Sequence, residues 1–222
     1  MGIVDRAKKV VVIGDVFADM ISKVRGFPET GGRTFGTSFM RNSGGTGGNI
    51  AAGLAVLGME ASIVCGLGDD ENGEFLLEEL KQSGVNTEHV KVTAGLKSGA
   101  VPIMVDEDGE RVIYVLVKGS AFEAIEPEDL LFLEEMNPDA LCFTGVIIGA
   151  HPVEESAILA ARRWKGRAKL YFDPNLCYPA DQVPEEIKKR QENWQICATW
   201  CLPGRQRCVR LAFLPRKGSA IL

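Results

Sequence analysis

Residues 41–58, RNSGGTGGNIAAGLAVLG, set Gly44, Gly45, Gly47 and Gly48 around Thr46 and run straight into a small-residue apolar stretch that Gly58 stops. Glycine allows close backbone approaches that a Cβ forbids, and the first turn of a helix carries N–H groups without a partner inside the helix. The pattern predicts a helix over 49–58 whose N-terminus offers amides to oxygen atoms, with Thr46 and Asn49 as neutral hydrogen-bonding partners for hydroxyls. A dinucleotide fingerprint would follow a first strand directly, whereas this loop follows residues 31–43, so an NAD-linked oxidoreductase is a minor alternative.

Outward from this stretch, apolar runs alternate with helical periodicity, the signature of βα units around a largely parallel sheet. VVVIGDVFAD (10–19) reads as a first strand ending in a polar turn, and ASIVCGLG (61–68) as the next buried strand. ENGEFLLEELKQSG (71–84), PEDLLFLEEM (127–136) and VEESAILAARRW (153–164) read as helices, and DALCFTGV (139–146) and KLYFD (169–173) as strands. AVPIMV (100–105), DEDG (106–109) and ERVIYVLV (110–117) break the alternation as a hairpin turned by Asp108-Gly109. Both faces of its second strand are apolar, so both should be covered, within the monomer or by a second subunit.

The 222 residues are 45% hydrophobic and 25% charged with net charge −5, an ordinary globular composition without the basic footprint of nucleic-acid or anionic-membrane partners. No apolar run reaches 18 residues and MGIVDRAKKVVVIGD lacks a signal-peptide pattern, so a cytoplasmic protein is expected. The body should occupy 1–194. Residues 195–222 hold five Lys or Arg, no Asp or Glu, and Cys197, Cys201 and Cys208 without a fourth zinc ligand; this segment reads as an atypical tail, and no metal site is assigned. Cys65, Cys142 and Cys177 are expected as reduced core residues, and His89 and His151 as structural or solvated.

Asp15 and Asp19 follow the first strand, at the edge where open α/β sheets bind ligands. A carboxylate there can accept two hydroxyls of a polyol; the alternative for each is a turn or helix-capping role.

The ordered set VVIGDVFAD, FPETGGRTFGTSF, NSGGTGGNIAAGLAVLG, CGLGDDENGEFLLEELKQSGV and YFDPN resembles the ribokinase-like, or PfkB, carbohydrate kinases across about residues 8–194. The resemblance implies a Rossmann-like three-layer α/β/α fold, here incomplete, with a small β-sheet lid from segments 31–43 and 97–120. It also implies ATP-dependent phosphorylation of a sugar or polyol hydroxyl with Mg²⁺, and a homodimer formed through the lid. Asp19 matches the family's sugar-binding aspartate, and Gly44, Gly45, Thr46 and Asn49 its sugar-binding loop. Asp173, Pro174 and Asn175 resemble the DPN turn bordering the phosphate region. Two positions depart from ribokinases: Thr46, often lysine there, and Phe17, where a polar residue is usual.

The family's base and anion hole come from a GAGD-type loop, and the sequence contains none; Gly66-Leu67-Gly68-Asp69 belongs by order to the N-terminal GDD block. No catalytic residue is therefore assigned. The expectation is a poor kinase or a non-catalytic sugar-binding or inactive fragment, with 195–222 the product of truncation or a frame shift.

Overall fold

The structure is a computed structural model and describes residues 8–175, 183–197 and 200–201. In chain order its elements are β1 (Lys9–Ile13), β2 (Phe17–Val24), β3 (Gly36–Gly44), α1 (Thr46–Val56), β4 (Glu60–Val64), β5 (Gly66–Gly68), α2 (Glu71–Gln82), β6 (Lys91–Thr93), β7 (Ala100–Val105) and β8 (Arg111–Ile113). There follow α3 (Leu133–Met136), β9 (Ala140–Thr144), α4 (Val153–Trp164), β10 (Lys169–Asp173), α5 (Glu185–Cys197) and β11 (Trp200–Cys201).

The central sheet is parallel throughout, in the order β11-β10-β9-β1-β4. Strand β1, KVVVI, held between β9 and β4, is apolar along nearly its whole length because helices cover both faces. Parallel crossovers share one hand, and the chain moves in opposite directions from β1 to β4 and from β9 to β10. The connecting helices α1 and α4 therefore land on opposite faces. Val11, Ile13, Leu141, Phe143 and Phe172 pack on α4 and on Trp194 of α5. Val12 and Ile63 pack on the other face with Ala51 of α1 and Leu76 and Leu80 of α2.

That second face is only partly covered among the described residues. Beside α1, over β9 and β10, lies a groove of about 970 Å³ lined by Ile50, Leu54, Cys142 and Tyr171. Helix α1 is apolar on all sides, as a helix enclosed by neighbours would be, yet Val56 and Leu57 at its end are exposed. Among the described residues, the three-layer architecture is open at this point.

Four strands in the order β3-β2-β7-β8 form the lid. The hairpin of β7 and β8 turns at Gly109 (φ +82°), and Asp106 Oδ1 accepts bonds from the Asp108 and Glu110 amides. The lid differs from the sequence reading in three ways. VVVIGDVFAD is two strands in two sheets: β1 stops at Ile13 and β2, the lid's inner strand, starts at Phe17. An apolar run keeps one pattern across such a change of sheet, so the break was hidden. The first lid segment becomes a strand only at Gly36, because a turn closed by the Gly32 amide on the Glu29 carbonyl and an irregular stretch over 32–35 precede it. Burial of the hairpin within the monomer is also contradicted, since Ile113, Tyr114, Val115 and Leu116 are all exposed.

Three further boundaries move. ASIVCGLG splits at Cys65 into β4 and β5, with β5 paired to β6 in a separate sheet, and Gly66 crosses so close to the Ala121 carbonyl that a Cβ would overlap it. PEDLLFLEEM is a 3-10 turn over 127–130 followed by the short α3. The expected boundary after residue 194 falls inside α5, whose Trp194 ring stacks on Phe172 at 5.1 Å, and β11 then pairs with β10. Cys177, Cys208 and the rest of 202–222 lie outside the described residues. Cys65 is buried and Cys142 half-buried, both as free thiols; His89 stacks on Phe132 and His151 pairs with Glu155.

Candidate functional site

The C-terminal ends of β1, β9 and β10, which are neighbours in the sheet, meet the loop that leaves lid strand β3 for α1. Gly45, at φ +87°, is the N-cap of α1, which starts three residues before the predicted helix. A Cβ at Gly45 would lie 2.7 Å from the Asp15 carbonyl oxygen, so the loop rests directly on the turn after β1.

Asp15 is buried beneath this loop. Its carboxylate accepts bonds from the Thr46 amide (2.7 Å), the Gly47 amide (3.3 Å) and the Thr144 hydroxyl (2.7 Å). The Gly48 amide bonds to the Asp15 carbonyl and the Asn49 amide to the Gly45 carbonyl. The first-turn amides expected to face a ligand are therefore occupied, a correction with a simple cause: a carboxylate placed at the positive end of a helix takes the donors itself. Of the two roles open to Asp15, capping is the one it fills. Burial raises its pKa, against the lowering effect of its hydrogen bonds.

Asp19 sits on β2, not at the end of β1, opposite Asn42 of β3 and Val101 of β7. Its carboxylate lies against Gly44, where a Cβ would fall 2.2 Å from Oδ2, so only glycine accommodates it. Among the described residues no donor engages this carboxylate, and its pKa is raised, first by burial and then by the charge of Asp15. Ile21, Met40 and Ile103 form the next row on the same lid face. Phe17, two residues before Asp19 on that face, is buried edge-on against Phe122 (5.3 Å) and anchors the lid to the body. This explains an apolar residue where ribokinases favour a polar one.

The structure joins the DPN turn to the loop across 129 residues of sequence: Asn175 Nδ2 donates to Thr46 Oγ1. The Asn175 amide bonds to Asp173 Oδ1 (3.1 Å), closing the turn, and Pro174 lies over Gly145 so tightly that any Cβ there would overlap it. Gly45, Thr46, Asp173 and Asn175 thus gather at the carboxyl edge of the central sheet, with Asp19 and Gly44 on the adjoining lid strands and Asn49 exposed on the first turn of α1. Asp69 and Asp70 are structural, as expected: Asp70 caps α2 through Gly73 and holds Ser98, while Asp69 accepts from the Gly95 amide. Sequence reasoning missed Thr144, whose only signal was a polar residue closing the run DALCF.

A triphosphate requires open amides or cations. Asp15 caps α1, Asp70 caps α2, and Glu154 and Glu155 fill the first turn of α4. These three helix N-termini therefore carry acidic side chains. Among the described residues, no group of three or more His, Cys, Asp or Glu is placed to hold a metal ion.

Residues 7–198 match the pfkB family carbohydrate kinases, and the chain belongs to that family. It is 27% identical to the aminoimidazole riboside kinase of Salmonella typhimurium over 194 residues, which are 85% of this chain and 57% of that protein. It is 28% identical to the fructokinase of Klebsiella pneumoniae over 182 residues, 81% of this chain and 55% of that one. Among solved structures, the PfkB protein from Polaromonas sp. JS666 superposes with a TM-score of 0.73 at 24% identity, covering 88% of this chain and 65% of that chain. The fructokinase with bound ATP from Xylella fastidiosa does so at 0.67 and 21%, covering 84% and 59%. The chain spans little more than half the length of these curated relatives. The dinucleotide alternative falls with the family match and with the loop's origin in a lid strand. No helix among the described residues is long and apolar enough to cross a membrane.

Proposed function

We propose that this chain is the sugar-binding part of an ATP-dependent carbohydrate kinase. One observation carries the reading: the half-buried Asp19 carboxylate, which no donor among the described residues engages, lies against a glycine that leaves it room. Two hydroxyls of a sugar satisfy it as charge-assisted acceptor bonds, with Thr46 and Asn49 of the first turn of α1 as neutral partners. In the whole kinase, ATP with Mg²⁺ supplies the phosphoryl group. The GAGD-type loop that would bring the base and anion hole is absent from this sequence, and loss of a general base alone costs about 10² to 10⁴ in rate. The chain by itself binds sugar and turns over poorly.

The exposed apolar lid residues, Phe35 (81% exposed), Phe39 (70%) and Tyr114 (56%), support pairing of two lids in a homodimer. A cytoplasmic location accords with the free thiols of Cys65 and Cys142. Calorimetry with D-ribose and D-fructose, beside a coupled ADP-release assay, tests the reading. Binding without turnover is expected; rapid turnover would refute the inactivity, and absence of binding to any of a panel of sugars would refute the site.

A further inference from the structure

Asp15 is buried beneath the glycine loop, and the elements around that loop converge on it. Its carboxylate joins the Thr144 hydroxyl at the end of β9 to the Thr46 and Gly47 amides, and Thr46 Oγ1 in turn accepts from Asn175 beyond β10. The chain Thr144–Asp15–Thr46–Asn175 therefore brackets the carboxyl ends of three adjacent strands. It has no slack. A Cβ at Gly47 would lie 2.8 Å from the Asp15 amide nitrogen, and one at Gly14 2.8 Å from Thr144 Oγ1.

The charge on Asp15 is set by its surroundings. All three groups bonded to the carboxylate are donors and α1 presents its positive end to it, which works against the rise in pKa that burial imposes. Two titratable groups respond to this charge. Cys65, just after β4, is pushed up by burial and then by Asp15, and remains a thiol. Asp19 of β2 is raised by burial and then by Asp15.

We infer that Asp15 is a positioning residue for the sugar site, holding Thr46 and the glycine loop through their amides and setting the field in which Asp19 works. The effect on sugar affinity rests on the proposed function; the action on Asp19 does not. The test uses the full chain with Asp15→Asn, Thr144→Val and Thr144→Ser. In the ligand-free protein, ¹³C NMR titration of the Asp19 carboxyl should show its midpoint falling by about half a pH unit in Asp15→Asn, the scale of one unit charge several ångströms away in a solvent-like dielectric. Removal of one donor in Thr144→Val should raise hydrogen exchange of the Thr46 and Gly47 amides and weaken D-fructose or D-ribose binding by about fivefold, with Thr144→Ser restoring both. An unmoved Asp19 midpoint, or a Thr144→Ser variant that behaves like Thr144→Val, overturns the inference. Should Asp15→Asn not fold, the exchange rates in the two Thr144 variants still decide. If the wild-type chain binds neither sugar while the Asp19 midpoint moves as expected, the choice of sugar fails and the positioning role stands.

Discussion

Replacing Gly44 by alanine would add one methyl group at the point where Asp19 and the loop touch. The new Cβ would lie 2.2 Å from Asp19 Oδ2, 2.4 Å from Cγ and 2.7 Å from Oδ1. Since ordinary contact begins near 3.4 Å, the carboxylate must withdraw by about 1 Å, enough to break aligned hydrogen bonds to a bound hydroxyl. Hydrogen bonds to charged groups are worth about 1.5–3 kcal/mol, so sugar affinity should fall by about 10- to 150-fold. Folding should change little, because the Asp19 carboxylate has no donor to lose among the described residues and Gly44 lies outside the left-handed region that favours glycine. Asp19→Ala should weaken binding by a similar amount, and Gly44→Ala added to it should cost almost nothing more, since the displaced group is already gone. Calorimetric titration of wild type, both single variants and the double variant measures this cycle. Wild-type affinity in Gly44→Ala, or losses that add in the double variant, would refute the assignment of Asp19 to the site.

Sugar affinity should decline on acidification from a higher pH than an ordinary aspartate would give, because the ionised form of Asp19 binds and its pKa is raised by burial and then by Asp15. A profile that stays flat from pH 7 to pH 4 would exclude this carboxylate from binding. Phe39→Lys on the exposed lid should turn a lid-paired dimer into a monomer in sedimentation velocity, and an unchanged oligomer would place the interface elsewhere. Trp194→Ala removes a fully buried ring stacked on Phe172 and tilted against Phe143 and should cost about 3–5 kcal/mol of stability by denaturant unfolding. A loss below 1 kcal/mol would mean that α5 does not close the core.

The sequence by itself determined whatever depends on neighbours a few residues apart. The predicted span of α4, 153–164, matches the structure, α2 and β10 are placed correctly, and the glycine loop and lid hairpin stand out, because helical period and turn chemistry are local. Only the tertiary structure decided which sheet a continuous apolar run enters, as at Gly14–Val16 and at Cys65, since both outcomes use the same residues. It also decided that Asp15 consumes amides 31 residues away, and that Thr46 meets Asn175 from 129 residues away. No spacing rule in the chain encodes such pairs: they arise where parallel strands bring their carboxyl ends to one edge, and a buried donor there takes the nearest acceptor.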